Sequence, residues 1–216
     1  MVHAKADVEA RGTGGKLLTA SCRHELFMGT RVLLRAGVRA GVAACILVSW
    51  HNDTQMLHEL LKGCSGFDNV DTKSGRTPIF LAVESGNVEA LVSLLTARAS
   101  VNRVSTQGNT PLFQAIFHDH EQAVRILLSA RADCKHGQAA GLHPLYSACD
   151  CGHVALVELL IACSAEVDAF SSMPPLCSPA IRGHLQVLQV LLSAGADLHV
   201  CFTDGLNPLI LAARHG

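Results

Sequence analysis

Long apolar runs are missing from this chain. The longest, Val42 to Val48, falls far short of the ~18–20 residues a helix needs to span a bilayer. Direct membrane insertion is therefore not expected, although only 16% of residues are charged and the mean hydropathy is +0.30. A charge bias is missing too. Seventeen basic and eighteen acidic residues leave a formal net charge of −1, which gives no pull towards nucleic acid or an anionic membrane. The N-terminus has no clear signal-peptide core. The nine cysteines follow no disulfide framework, and an odd count without a secretion signal fits reduced thiols. A cytoplasmic or nuclear protein is expected.

What the chain does contain is a phrase repeated at a fixed step. Gly75-Arg76-Thr77-Pro78-Ile79-Phe80-Leu81-Ala82 returns as Gly108-Asn109-Thr110-Pro111-Leu112-Phe113-Gln114-Ala115, and again as Gly141-Leu142-His143-Pro144-Leu145-Tyr146-Ser147-Ala148. The glycines at 75, 108 and 141 are spaced by 33 residues. A later copy, Gly205-Leu206-Asn207-Pro208-Leu209-Ile210-Leu211-Ala212, places its proline 33 residues after Pro175. A period of this size marks a stacked repeat array. The second half of each unit repeats as well: Val92-Ser93-Leu94-Leu95, Arg125-Ile126-Leu127-Leu128, Val157-Glu158-Leu159-Leu160 and Gln189-Val190-Leu191-Leu192. Short tails such as Ala99-Ser100-Val101-Asn102 and Ala165-Glu166-Val167-Asp168 follow.

These phrases resemble the ankyrin repeat family, with its G-x-T-P-L-H-x-A-A-x-x-G-H, V-x-x-L-L and G-A-D-V-N elements. The resemblance is clear over 70–216 and degenerate over 6–69. It implies an all-α repeat solenoid of stacked helix-turn-helix units joined by short β-hairpin-like loops. The expected organisation is degenerate repeats over 1–69, repeats over 70–102, 103–135 and 136–168, a short repeat over 169–199, and a truncated one over 200–216. The chain opens inside a repeat tail and stops after a first helix, so a fragment of a longer array is expected, with Ile210, Leu211 and Ala212 lacking a covering helix.

The residues support helix pairs independently of the resemblance. Thr77 and Thr110 are good N-caps, each followed by proline at the first helical position, where a missing N–H costs nothing. Asn207-Pro208 repeats this logic, whereas His143 should cap less well. Gly86, Gly152 and Gly183 read as turn residues with positive φ. Asp119 takes that place in its unit and Asn52 in a weaker one. Pro179 should kink or shorten its helix. Phe80, Phe113 and Tyr146 stand where the family has His. They form either an aromatic binding stripe or a buried row between repeats, and their apolar helical neighbours favour burial. Cysteines such as Cys149, Cys163 and Cys177 fit the role of small buried hydrophobes.

Two motifs invite chemistry without completing it. Cys149-Asp150-Cys151-Gly152-His153, with His118, His120 and His184 nearby, suggests a zinc site, which needs about four tetrahedral ligands. The repeat pattern already accounts for Cys149, Gly152 and His153. Gly12-Thr13-Gly14-Gly15-Lys16 resembles a phosphate loop, but Ala10 and Leu17 stand where Gly and Ser or Thr are required. No nucleophile–base pair can be placed, so no catalytic residue, metal, cofactor or small-molecule substrate is expected.

The resemblance implies binding of a partner protein through loop tips and the first-helix surface, in a scaffold or adaptor. The alternative is the recognition arm of a larger enzyme or channel. The candidate contacts are Lys73, Arg76, Arg103, Gln107, Phe117, His118, Lys135, Cys151 and Arg182. Arg76 and Arg103, with Lys73 and Lys135, are expected to form a basic edge suited to an acidic or phosphorylated segment.

Overall fold

The structure is a computed structural model that describes Val32, Leu57, His58, Leu61 and residues 75–135, 143–168, 173–200 and 205–215. The chain divides into two compact units, Met1–Thr106 and Gln107–Gly216. Asn52, Lys73 and the Gly12–Lys16 loop lie outside the described residues.

In the first unit, α1 (Pro78–Glu84) packs on α2 (Val88–Thr96). The Thr77 side chain accepts from Phe80 N at 3.3 Å, and Pro78 occupies the first turn, where no partner for its nitrogen is needed. Asn87 caps α2 by accepting from Ala90 N at 2.9 Å. Ile79, Phe80, Val83, Leu91 and Leu94 are buried between the two helices and their surroundings.

The second unit repeats the arrangement. It runs α3 (Pro111–Phe117), α4 (Glu121–Ser129), α5 (Pro144–Cys151), α6 (Val154–Ala162), α7 (Cys177–Arg182), α8 (Leu185–Ser193) and α9 (Pro208–His215). Each first helix packs on its second helix, as α3 on α4, α5 on α6 and α7 on α8. First helices stack on first helices, α3 on α5, α5 on α7 and α7 on α9, while α4, α6 and α8 stack in a second layer. The apolar core therefore lies between neighbouring repeats, as expected when no unit can bury its own face. Thr110 caps α3 at 3.1 Å and Asn207 caps α9 at 2.8 Å, but His143 makes no side-chain cap.

The turns between paired helices carry Gly86, Gly152 and Gly183 at φ of 68°, 77° and 72°, and Asp119 at 56°. A second left-handed position, after the second helix, holds Arg98, Arg131, Ser164 and Gly195. Pro179 sits in the first turn of a six-residue α7, the shortest described helix, where its missing N–H breaks no helical bond. The ring row is buried at Phe80 and Phe113 and half-buried at Tyr146.

Two expectations need correction. Leu211 is covered, at 6% exposure, because α9 packs on α7; Ile210 alone of that pair is open, at 42%. Cys163 is exposed, because it lies just past the end of α6, whereas Cys149 and Cys177 are fully buried inside first helices.

Candidate functional site

The C-terminal ends of α3, α5 and α7 present the sequence-derived candidates Phe117, His118, Cys151 and Arg182 in neighbouring repeats of the second unit. Phe117 is 59% exposed, although Phe113, one turn earlier, is 6% exposed. The His118 ring meets Phe117 edge-on at 5.4 Å and stacks on His120 at 5.7 Å. The Gln114 amide donates to His118 Nε2 at 2.8 Å and holds that ring in place. The result is a small aromatic and imidazole shelf open to solvent.

Polar ties fix the shelf to the next repeats. His153 Nδ1 lies 3.2 Å from Asp119 Oδ1. Asp150 accepts from Arg182 Nε at 2.8 Å and from the buried Ser178 hydroxyl. His184 Nε2 donates to the Asp150 carbonyl at 3.2 Å. His153 thus reaches back to the turn after α3 and His184 to α5, and neither caps its own helix. Sequence reading placed these histidines at one repeat position but did not reveal their partners. Spacing alone does not show which way an imidazole points.

The shelf does not activate a thiol. Partial burial, with the Asp150 carboxylate next in weight, pushes the Cys151 thiol up. Burial pushes Cys149 up to about 12 and Cys177 to about 11. A nucleophilic cysteine needs the opposite shift. Among the described residues no group of three or more His, Cys, Asp or Glu side chains is placed to hold a metal ion.

The loop candidates are distributed differently. Arg76 Nη1 donates to Glu84 at 2.9 Å, and its guanidinium lies over the Phe80 ring at 5.6 Å. Lys135 pairs with Glu166 at 2.8 Å, an exposed contact that raises the lysine and lowers the carboxylate. Gln107 is exposed. Arg103 is exposed and has no ion pair among the described residues. The expected basic edge is therefore partly neutralised by carboxylates of this chain. Loop backbones are held by short side chains, with Asp133 accepting from Lys135 N and Asp168 from Asp197 N.

Sequence profiles agree with this architecture. Ankyrin repeats (3 copies) match residues 43–138, an ankyrin repeat matches 140–172, and ankyrin repeats (many copies) match 176–216. The chain belongs to the ankyrin repeat family. Its fold is the ankyrin all-α repeat solenoid, a fold that generally serves protein–protein interaction. No curated protein matches the chain. Among solved structures, the ankyrin repeat domain of Bcl-3, described as a unique member of the IkappaB protein family, is 21% identical with a TM-score of 0.80; the match covers 91% of this chain and 93% of that one. The human ASB11 ankyrin repeat domain is 24% identical with a TM-score of 0.77, covering 90% of each chain. At these identities the likeness is one of fold. No described helix is long and apolar enough to cross a membrane.

Proposed function

We propose that this chain is a non-catalytic scaffold or adaptor module that docks a partner protein on the ends of its first helices. The carrying observation is Phe117, an exposed ring at the end of a helix whose other apolar residues are buried. Aromatic side chains are favoured anchors at protein interfaces. His118, Cys151 and Arg182 lie with it at first-helix ends of the second unit, and the loop residues Lys73, Arg76, Arg103, Gln107 and Lys135 are further candidate contacts, each within its own unit. Reduced thiols, the reading that the odd cysteine count favours, fit a cytoplasmic or nuclear setting.

Site-specific photo-crosslinking tests the reading. A benzophenone side chain placed at 117 or 151 should give discrete protein adducts in cells. The same group at Gln186, exposed on α8 in the other layer, should not. Equal adducts from all three positions, or none from 117 and 151, would refute the docking surface.

A further inference from the structure

Cys134 and Cys163 meet across a seam inside the second unit. The Cys134 thiol donates to the Cys163 carbonyl oxygen at 3.6 Å, a contact between residues 29 apart in sequence. The two thiols also sense each other's charge. Burial is the chief cause that pushes Cys134 up, and the Asp133 carboxylate and the Cys163 thiolate add to it. Their exposure differs, Cys163 being open to solvent and Cys134 half-buried. A gap beside Cys134, also lined by Lys135, His143, Leu145, Ala165 and Glu166, measures about 10 Å³. That is room for no more than one water. A reagent from solution therefore meets Cys163 first.

The backbone at both positions leaves room to adjust. Cys163 lies just past the end of α6, before Ser164 at φ 64°. Cys134 follows α4 in the loop that carries Lys135. Neither residue is inside a helix, so side-chain rotation and a small loop shift can bring the sulfurs together while both helices stay intact. A disulfide needs its Cα atoms about 4.4–6.8 Å apart, a demand that adjoining loops meet more easily than rigid elements.

We infer that Cys134 and Cys163 form a disulfide that ties the loop after α4 to the end of α6, with a small disulfide such as oxidised glutathione as the oxidant. The Cys163 thiolate attacks one glutathione sulfur. A protein–glutathione S–S bond forms as the old S–S bond breaks, and one glutathione thiolate leaves and takes up a proton. The Cys134 thiolate then attacks the Cys163 sulfur, and the second glutathione leaves in the same way. Two protein thiols are oxidised, one small disulfide is reduced to two thiols, and the two protons end on the released glutathione. A reducing compartment keeps the pair open, and a rise in oxidised glutathione closes it. The bridge holds the loop of Lys135, which pairs with Glu166 across the same seam. It does not depend on docking at Phe117.

The test incubates the full chain with oxidised glutathione, blocks the remaining thiols with N-ethylmaleimide in denaturant, and digests without reduction. Cleavage after Lys, Arg and Glu leaves Cys134 in the peptide 132–135 and Cys163 in 159–166. Mass spectrometry should find these two peptides joined. Cys134→Ser should leave glutathione on Cys163, the first step trapped. Cys163→Ser should leave Cys134 unoxidised. Cys151 is the internal control. It is also exposed, but its charged neighbours are Asp150, Arg182 and Asp119, so it should take up glutathione without joining Cys134. Serine at these exposed or half-buried positions should leave the thermal melt unchanged, and the joined peptides of the wild type stand without the variants. Three results would overturn the inference: no joined pair in the wild type, whether or not Cys163 carries glutathione; Cys134 joined as often to Cys151 as to Cys163; or joined peptides recovered only from a dimer band on a non-reducing gel.

Discussion

Arg182 grips Asp150 with two prongs, Nε to Oδ1 at 2.8 Å and Nη2 to Oδ2 at 3.2 Å, joining residues 32 apart in sequence. The two ends of this pair are not equal. Arg182 is 55% exposed and returns to water when released, whereas the Ser178 hydroxyl that also relies on Asp150 is 3% exposed. Arg182→Ala should cost about 0–1 kcal/mol, like other exposed pairs. Asp150→Ala should cost about 1–3 kcal/mol by leaving a buried donor without its acceptor. Urea midpoints of the two variants check the order.

Gly152→Ala should destabilise by about 1–2 kcal/mol, from a left-handed backbone alone. Further strain arises because the added Cβ would lie 3.0–3.1 Å from the His184 ring. Asp119→Gly, at the equivalent turn, should stay within about 1 kcal/mol of wild type. Relief at φ 56° offsets the loss of an exposed contact with His153. Thermal melts decide both.

Phe113→Ala and Phe117→Ala remove the same ring from one helix with different expected results. Phe113, at 6% exposure, should cost about 3–5 kcal/mol. Phe117, at 59%, should change stability by less than about 0.5 kcal/mol. Denaturation midpoints that fall equally would show that Phe117 is a packing residue.

Arg76→Ala should lower stability by about 0.5–2 kcal/mol, since it breaks a partly buried bond to Glu84 and uncovers the face of Phe80. Arg103→Ala should be neutral, because its side chain is exposed and unpaired among the described residues. Melting curves of the single variants separate them.

Lys135 and Glu166 should titrate as partners. The lysine is raised and the glutamate lowered, each chiefly by the hydrogen bond between them. Their mutual contribution is therefore lost as pH falls through the lowered carboxylate value, and again as pH rises through the raised ammonium value. NMR titration of Glu166→Gln should show Lys135 back at its ordinary range. High salt should reduce the shift in the wild type.

The repeat period and the Thr77 and Thr110 caps were legible because each rests on local chemistry within a few residues. Phe117 is a harder case. It lies four residues after Phe113, so helical periodicity alone would bury both; its place in the repeat, at the helix end, is what leads to exposure. The second left-handed turn was not legible, since Arg98, Arg131 and Ser164 give no sign of positive φ and only Gly195 hints at it. Arg76–Glu84 and Asp150–Ser178 were also missed. Each depends on how far a side chain reaches across a helix or between stacked ones, and sequence spacing does not encode reach.

Burial of Cys149 and Cys177 in successive first helices gives the chain a pair of natural timers. Exposed Cys151 and Cys163 should be labelled by an alkylating reagent without any opening of the fold. Cys149 and Cys177 wait until their own repeat opens, because neither solvent nor reagent reaches them before then. Their separate labelling rates, read by mass spectrometry, report whether adjacent repeats open together or one at a time, with no probe added to the protein.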